Sequence, residues 1–175
     1  MTDVSTIRPS TSSRRRRASA DRGRSYTTVA SFYEGVANLY SGGLIAAAKR
    51  AQLPHVRSGD RVLYVGVGAG EDAIEAAHLA ARLTCLDLSS VMLTRLEERL
   101  RRSGHAAEIV CGNAFDHHRP AYYDVICANF FLNCLSEPAM RDMLAHLATL
   151  LRPGGKLLIA DLALPQGALF SRWFQ

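Results

Sequence analysis

The sequence lacks an apolar run of the roughly 20 residues that a membrane-spanning helix needs. Its N-terminus also lacks the short apolar core that is typical of a secretory signal. Cysteine is scarce, with four in 175 residues, and none of them forms a C-x-x-C pair. Reduced thiols of a cytoplasmic protein explain this usage better than disulfides do, and no spacing of histidine and cysteine predicts a metal site.

The chain also lacks an excess of charge outside its first residues. Residues 1–25 hold seven of the 21 basic residues and two of the 16 acidic ones, which leaves 14 of each in residues 26–175. The overall charge of +5 therefore belongs to the first 25 residues. This arginine- and serine-rich stretch has too few apolar residues to fold, so it is predicted to be a disordered tail. No specific nucleic-acid binding is expected of the neutral remainder.

Residues 26–60 are predicted to form a helical N-terminal segment rich in aromatic side chains. From residue 61 onward, short apolar runs alternate with segments of helical periodicity. The predicted strands are residues 61–66, 82–88, 106–112, 122–130 and 156–162. Three helices are predicted between them. The first covers residues 71–80, the second begins after a cap at Ser89 or Ser90 and ends at Ser103-Gly104, and the third covers residues 137–151. Arg152-Pro-Gly-Gly155 is expected to break the last of these helices. Continuous apolar strands separated by helices predict an α/β fold, a doubly wound parallel sheet with helices on both faces.

In such a sheet, ligands bind beyond the carboxyl ends of the strands. Three glycines follow the first predicted strand, at Gly66, Gly68 and Gly70, and the polar residues Asp87, Asn113 and Asn129 stand at the ends of the next three. The glycine spacing is G-x-G-x-G, not the G-x-G-x-x-G of dinucleotide sites. Glu71 and Asp72 open the next helix, where their charges would repel a pyrophosphate. A phosphate-free cofactor with a positive centre, S-adenosylmethionine, therefore suits this loop better.

Five segments together resemble the successive motifs of class I S-adenosylmethionine-dependent methyltransferases, above all the small-molecule branch related to the ubiquinone/menaquinone methyltransferases. The segments are VLYVGVGAGEDAIEAA, LTCLDLSSVMLTRL, GNAFD, YYDVICANFFLNCL and LLRPGGKLLIADL. The resemblance implies a Rossmann-like sheet of order 3-2-1-4-5 and a cofactor-binding domain over residues 61–175. It implies a methyltransferase that passes a methyl group from S-adenosylmethionine to a small, hydrophobic acceptor.

The resemblance also implies roles for particular residues. The glycine loop would flank the methionine part of the cofactor, Asp87 would hold the ribose, and Asn129 would lie beside the methyl-transfer centre. The implied cofactor-binding residues are Tyr33, Gly66, Val67, Gly68, Gly70, Asp87, Leu88, Asn113, Ala114 and Asn129. Of these, Leu88 would pack on the adenine, Asn113 and Ala114 would lie at its edge, and Tyr33 would close over the sulfonium by a cation–π contact.

This sequence departs from the family pattern in three ways. Tyr64 replaces the usual acid two residues before the first glycine, and Asn113 stands where an aspartate is common. The chain also ends shortly after the fifth predicted strand, so the family's last two strands are expected to be missing. Self-association or a further C-terminal segment would then have to cover the aromatic side chains of Phe170, Trp173 and Phe174.

The sequence indicates less about the methyl-transfer step than about the cofactor site. His118 is a candidate general base if the acceptor must lose a proton. Asn129-Phe-Phe lacks the prolines of methyltransferases that act on nucleic-acid bases, which favours a small apolar acceptor beside Phe130 and Phe131. Two alternatives stay open, namely a non-catalytic or truncated cofactor-binding protein of the same fold and, with less support, an NAD-dependent oxidoreductase.

Overall fold

The computed structural model describes residues 43–79 and 81–161. Contacts between Cα atoms divide the chain into two units, Met1–Leu44 and Ile45–Gln175, and the fold below is that of the second unit. The predicted tail and residues 26–42 of the predicted N-terminal segment lie outside the described residues, as do Tyr33, Phe170, Trp173 and Phe174. The domain boundaries inferred from the sequence therefore stay predictions.

Five parallel strands form one sheet in the order β3-β2-β1-β4-β5. They are β1 (Arg61–Val65), β2 (Arg82–Asp87), β3 (Glu108–Cys111), β4 (Tyr123–Asn129) and β5 (Leu151–Ala160). The predicted fold class and strand order are confirmed. Because β1 lies between β2 and β4, strand order reverses there, and a crevice between connections is expected at the carboxyl end of β1.

The described residues contain four α-helices, α1 (Leu44–Arg50), α2 (Glu71–His78), α3 (Ser90–Arg102) and α4 (Glu137–Leu150). Helices α2 and α3 pack on one face of the sheet, where Ala73 and Leu96 join Val62 of β1 in a core cluster. Helix α4 packs on the other face, where Leu147 joins Leu63 of β1. Both faces are covered because neighbouring strand residues point to opposite sides and nearly all of them are apolar.

Helix α3 follows its sequence signals closely. The side chain of Ser89 accepts a hydrogen bond from the Met92 amide at 3.3 Å, which caps the helix. Its buried residues are the four that helical periodicity predicts, Met92, Leu93, Leu96 and Leu100. Each such side chain stabilises the fold by about 1.5–3 kcal/mol relative to exposure. The helix holds the connection after β2 firmly against the sheet.

Most predicted boundaries differ from the observed ones by one or two residues, and the start of β5 differs by five. Helix α2 ends at His78 and not at residue 80. Helix α4 ends at Leu150, and β5 begins at the next residue instead of after the Pro-Gly-Gly sequence. Tyr123 pairs with Leu151 and Val125 pairs with Lys156, so residues 152–155 bulge out between them. An edge strand tolerates proline and a bulge, because its outer side needs no backbone partner.

Candidate functional site

The fold brings the glycine loop, residues 66–70, to the carboxyl end of the sheet. The amides of Gly66 and Val67 donate to the carbonyl of Leu86, at 2.9 and 3.2 Å, so the loop leaves β1 directly beside the end of β2. Gly66, Gly68 and Gly70 have φ of +64°, +55° and +65°. Glycine adopts this left-handed backbone at no steric cost, which explains the residue type at all three positions.

Two of these glycines also leave room for neighbouring side chains. A Cβ atom on Gly66 would lie 2.5 Å from Cδ2 of Phe131, and one on Gly70 would lie 2.5 Å from Cδ1 of Leu96. The first contact presses the segment after β4 onto the start of the loop. The second packs α3 against its end. The loop is therefore fixed by close packing on both sides.

Asp87 joins the loop to the start of α3. Its Oδ2 accepts from the Gly68 amide at 2.9 Å, and its Oδ1 accepts from the Ser89 amide at 2.8 Å. The carboxylate is half-buried, and the next side chain, Leu88, is 71% exposed. A carboxylate beside an exposed apolar side chain suits a nucleoside, because the ribose hydroxyls can donate to the carboxylate and the base can pack on the apolar side chain.

Asn129, at the end of β4, is bound on both sides of its amide. Its Nδ2 donates to Oδ2 of Asp72 at 2.8 Å, and its Oδ1 accepts from the Ala160 amide at 3.2 Å. Asp72 is 5% exposed, and its Oδ1 lies 3.4 Å from the ammonium of Lys49 in α1. The second acid after the glycine loop is thus a buried, paired group and not a solvent-facing one.

Tyr64 stands in β1 where the family has an acid, and it too contacts Asp72. Its hydroxyl donates to the main-chain carbonyl of Asp72 at 3.3 Å. Burial raises the pKa of Tyr64 well above its usual value, with Cys127 and Asp72 adding to the shift. Burial likewise raises the pKa of Cys85 and of Cys127 to about 12. These three groups stay protonated at neutral pH, so none of them is an activated nucleophile.

Asn113 and Ala114 follow β3. The Oδ1 of Asn113 accepts from the Phe115 amide at 3.1 Å and caps the short 3₁₀ turn Ala114–Asp116. The methyl group of Ala114 is buried in the core cluster on the α4 face. The turn therefore lies next to the ends of β2 and β3, but the side-chain carbonyl of Asn113 is already used to hold it.

His118 is not joined to this group of residues. Its exposed ring packs edge-to-face on His146 of α4, with centroids 5.6 Å apart. The neighbouring His117 is buried against the hydroxyl of Tyr123 at 2.8 Å, and burial, followed by the charge of Arg119, lowers its pKa. Tyr123 is the first residue of β4, at the other end from Asn129. The side chain of His117 thus lies at the amino end of β4, whereas His146, the partner of His118, is within hydrogen-bond distance of the main-chain carbonyls of Ala114 and His117, at 3.0 and 3.1 Å.

Two features are absent from the part of the chain that the structure describes. Within 43–79 and 81–161, no three side chains of histidine, cysteine, aspartate or glutamate form a group that could hold a metal ion. The same residues contain no helix of the length and apolarity needed to cross a membrane.

Comparison with known proteins then gives the family. A family model described as a methyltransferase domain matches residues 62–155, which is more than half of the chain. The chain belongs to this methyltransferase-domain family. The match begins in β1 and ends in β5, so it spans the sheet, the glycine loop, Asp87 and Asn129. The resemblance inferred from the five motifs is confirmed.

Related sequences point the same way. The ubiquinone/menaquinone biosynthesis C-methyltransferase UbiE of Azotobacter vinelandii is 30% identical over 157 residues, which cover 84% of this chain and 60% of the relative. UbiE of Pseudomonas putida strain GB-1 is 31% identical with the same coverage. The chain spans about 60% of the length of these relatives.

Solved structures with the same fold carry more than one name. The [4+2]-cyclase SpnF is 25% identical, with a TM-score of 0.56, over 65% of this chain and 42% of its own. Phosphoethanolamine N-methyltransferase 2 of Haemonchus contortus, in complex with S-adenosyl-L-methionine, is 24% identical, with a TM-score of 0.58, over 71% and 31%. The second likeness shows the fold alone.

The sequence-based description of this methyltransferase domain missed two residues of the site, Asp72 and Lys49. A signal for Asp72 was present, because it lies one helical turn before Ala76 and so on the buried face of α2. No signal marked Lys49, whose partner lies 23 residues away. The packing of Phe131 on Gly66 was missed as well, since it depends on how β4 and β1 pair.

Proposed function

We propose that this methyltransferase domain binds S-adenosylmethionine at the glycine loop and transfers the methyl group to a small molecule. The observation that carries the proposal is the carboxylate of Asp87, which accepts from the Gly68 amide and lies beside the exposed Leu88. It stands at the carboxyl ends of β1 and β2, where ligands of doubly wound sheets bind. Family membership supports the same reading.

The charges around the loop fit a cofactor without phosphate. Gly70 is the N-cap of α2 and exposed Glu71 its first helical residue, so an anionic side chain occupies the helix end where a pyrophosphate would otherwise bind. An adenosine has no charge to be repelled there. Asp87 would accept from the ribose hydroxyls, Leu88 would contact the adenine, and Asn113 and Ala114 would lie at its edge. Residues 66–70, which include Val67, would contact the methionine part.

The proposed cofactor supplies a methyl group on a positively charged sulfur. The residues of this chain then have to orient the acceptor and exclude water, and proximity with orientation can lower a barrier by about 7–11 kcal/mol. The amide of Asn129 is fixed, and the half-buried rings of Phe130 and Phe131 follow it. We assign His118 no proton-transfer step, because its ring packs on His146 in the C-terminal half of α4.

The acceptor is proposed to be small and apolar. Two phenylalanines directly follow the end of β4, and the relatives named UbiE are C-methyltransferases of ubiquinone and menaquinone biosynthesis. Because the chain spans about 60% of those relatives, their substrates are offered here as candidates to be tested. A role for Tyr33 in closing the site, and cover for Phe170, Trp173 and Phe174 by self-association or a further segment, stay predictions.

A cytoplasmic location is proposed from the cysteines. All four are free thiols, with Cys85 and Cys127 buried and Cys111 and Cys134 exposed. Exposed free thiols suit a reducing compartment.

A second candidate function is binding of the cofactor without methyl transfer. The cyclase SpnF, at 25% identity, carries a name other than methyltransferase on this fold, and Tyr64 replaces the family's usual acid. An NAD-dependent oxidoreductase has less support, given the glycine spacing and Glu71. The candidates differ in which ligand binds and in whether a methyl group moves.

The test is calorimetric titration of the full chain with S-adenosylhomocysteine, with NADH as the control ligand. We expect binding of the first only, and Asp87→Ala should weaken it about 10–100-fold, since a hydrogen bond to a charged group is lost. Asp142→Ala, an exposed position on α4, is the matched control and should bind as the wild type does. Binding of NADH instead would replace the proposal with the oxidoreductase.

A second assay separates transfer from binding. The chain is incubated with S-adenosylmethionine labelled in the methyl group and a panel of small quinols, phenols and amines. Label in one acceptor class would support methyl transfer, whereas binding without transfer to any of them would favour the second candidate.

A further inference from the structure

A buried carboxylate, outside the proposed chemistry, lies beneath the glycine loop. Aspartates are almost never fully buried unless they are paired, and Asp72 has three neighbours. Lys49 reaches it from α1, Asn129 from the end of β4, and Tyr64 binds its main-chain carbonyl from β1. Three separate elements thus meet at one residue of α2.

Asp72 allows the Asn129 amide only one orientation. An ionised carboxylate accepts hydrogen bonds but cannot donate, and the Ala160 amide donates but cannot accept. The Nδ2 of Asn129 must therefore face Asp72 while its Oδ1 faces Ala160, as the distances of 2.8 and 3.2 Å require. A flipped amide would lose both bonds.

The chain beyond Asn129 contacts the other end of the glycine loop. Phe130 has a φ of +52°, an uncommon value for a side chain of its size, and its amide donates to Ala160 at 2.7 Å. This turn brings the ring of Phe131 onto Gly66. Residues 129–131 therefore hold the loop at two points, at its start through Phe131 and just past its end through Asp72.

We infer that Asp72 is a positioning residue of the proposed cofactor site, which fixes the Asn129 amide and, through it, the conformation of the glycine loop. The inference rests on the proposed function in one respect, namely that the cofactor binds at the glycine loop. Asp72 acts through Asn129 and needs no contact with the ligand.

The two bonds of Asp72 have separable roles. The ammonium of Lys49 is 3.4 Å from Oδ1, at the long end for an ion pair, and its side chain is 18% exposed. The bond to Asn129 is shorter and lies between two buried residues. Lys49→Met removes the first bond and leaves the second, while Asp72→Leu removes both. Asp72→Asn retains an acceptor for Asn129 and removes the charge.

Hydrogen exchange of the unliganded full chain tests the inference without any ligand. Asp72→Leu should raise the exchange rates of amides within 66–70 and 129–131 together, by about tenfold, the effect of losing one charged hydrogen bond. Lys49→Met, which leaves the bond to Asn129 in place, and Asp72→Asn, which retains an acceptor for it, should each raise exchange in both segments less than Asp72→Leu does. Unchanged exchange in Asp72→Leu, or an equal rise throughout the sheet, would contradict a positioning role.

Ligand affinity provides the second readout. Asp72→Leu should bind S-adenosylhomocysteine about tenfold more weakly, while adenosine, held at the Asp87 end, should keep its affinity. A general loss of structure would weaken both ligands equally and would overturn the inference. If the wild type binds neither ligand, the proposed function fails by itself, and the exchange experiment still decides the role of Asp72.

Discussion

The two ends of the sheet carry similar residue types and use them differently. At the carboxyl end, Asp87 and Asn129 bind backbone amides and one buried carboxylate, next to a loop of left-handed glycines. At the amino end, charged side chains bind mainly one another. Asp124, for example, accepts from the amide and guanidinium of Arg61 and pairs with Arg152 across the bulge of β5.

The rest of the amino end follows the same pattern. Glu108, at the start of β3, is held by both guanidinium nitrogens of Arg119 and by the hydroxyl of Thr84. The ring of Tyr122 lies 4.7 Å from the guanidinium of Arg61 and 5.4 Å from that of Arg119. Charged side chains that pair with one another stabilise the strand ends, whereas polar side chains that bind a loop can also shape a ligand site. We therefore expect substitutions at the amino end to change stability, and those at the carboxyl end to change binding as well.

The largest effect is expected at the carboxyl end, from Gly70→Ala. The new Cβ would meet the buried side chain of Leu96 at 2.5 Å, in a backbone with φ of +65°. Left-handed strain of about 1–2 kcal/mol adds to overpacking of about 1–3 kcal/mol, so the free energy of unfolding should fall by about 2–5 kcal/mol. Urea denaturation measures this loss.

Gly59 supplies the control at the amino end. Its φ is +83°, in the turn before β1, but nothing lies within 4 Å of a Cβ placed there. Gly59→Ala should therefore show only the strain, about 1–2 kcal/mol. If the two alanine variants lose the same stability, the contact with Leu96 does not constrain the loop and this part of the comparison is wrong.

Asp124→Ala should give the next largest effect, about 2 kcal/mol, because it removes the hydrogen bonds that the two guanidinium groups and the Arg61 amide donate to a carboxylate that is only 12% exposed. Burial alone would raise the pKa of Asp124, but the amide and guanidinium of Arg61, with Arg152, hold it below its usual value. A lowered pKa contributes stability that is present above the unfolded value, about 3.9, and is lost as pH falls below it.

The difference in unfolding free energy between wild type and Asp124→Ala should thus be full at pH 7 and shrink below about pH 4. Affinity for S-adenosylhomocysteine, measured on the folded variant, should not change, since Asp124 belongs to the amino end. A difference that stays constant down to pH 2, or a loss of affinity at pH 7, would contradict the assignment.

Local patterns explain why much of this fold was predictable. Helix α3 has a serine cap and four apolar residues at helical spacing, so its position and buried face follow from neighbouring residues alone. The glycine loop and Asp87 follow from the apolar strands that precede them. The start of β5 was not predictable in the same way, because Pro153 and the two glycines after it ordinarily end regular structure. Among the described residues β5 lies at the edge of the sheet, where proline and a bulge are tolerated.

The parts of the site that the sequence did not reveal are long-range contacts. Asp72 meets Lys49 across 23 residues and Asn129 across 57, and neither pair has a local signature. An acid in the first turn of a helix is ordinarily explained by its favourable interaction with the helix dipole. The position of Asp72 in the sequence therefore gave no reason to expect its more specific contacts. The general-base role of His118 stays a prediction, and its ring contact with His146, 28 residues away, has no local signature either.

The smallest and most discriminating effects are expected from two residues that flank β4. Ala121 and Phe130 both have left-handed backbones, with φ of +51° and +52°, one at each end of the strand. Glycine would relieve about 1–2 kcal/mol of strain and would cost about 0.4–1 kcal/mol of chain entropy. Ala121→Gly at the amino end should therefore raise the free energy of unfolding by about 0.5 kcal/mol and leave ligand affinity unchanged.

Phe130→Gly relieves the same strain at the carboxyl end, where the strained turn connects Asn129 to the ring of Phe131. Strain that persists at a ligand site is often part of its preorganisation. We expect this variant to bind S-adenosylhomocysteine more weakly than Ala121→Gly does, and calorimetric titration of both proteins measures the difference. Equal affinities would mean that the left-handed turn at Phe130 is only a structural feature, and the two ends of β4 would then differ in sequence but not in role.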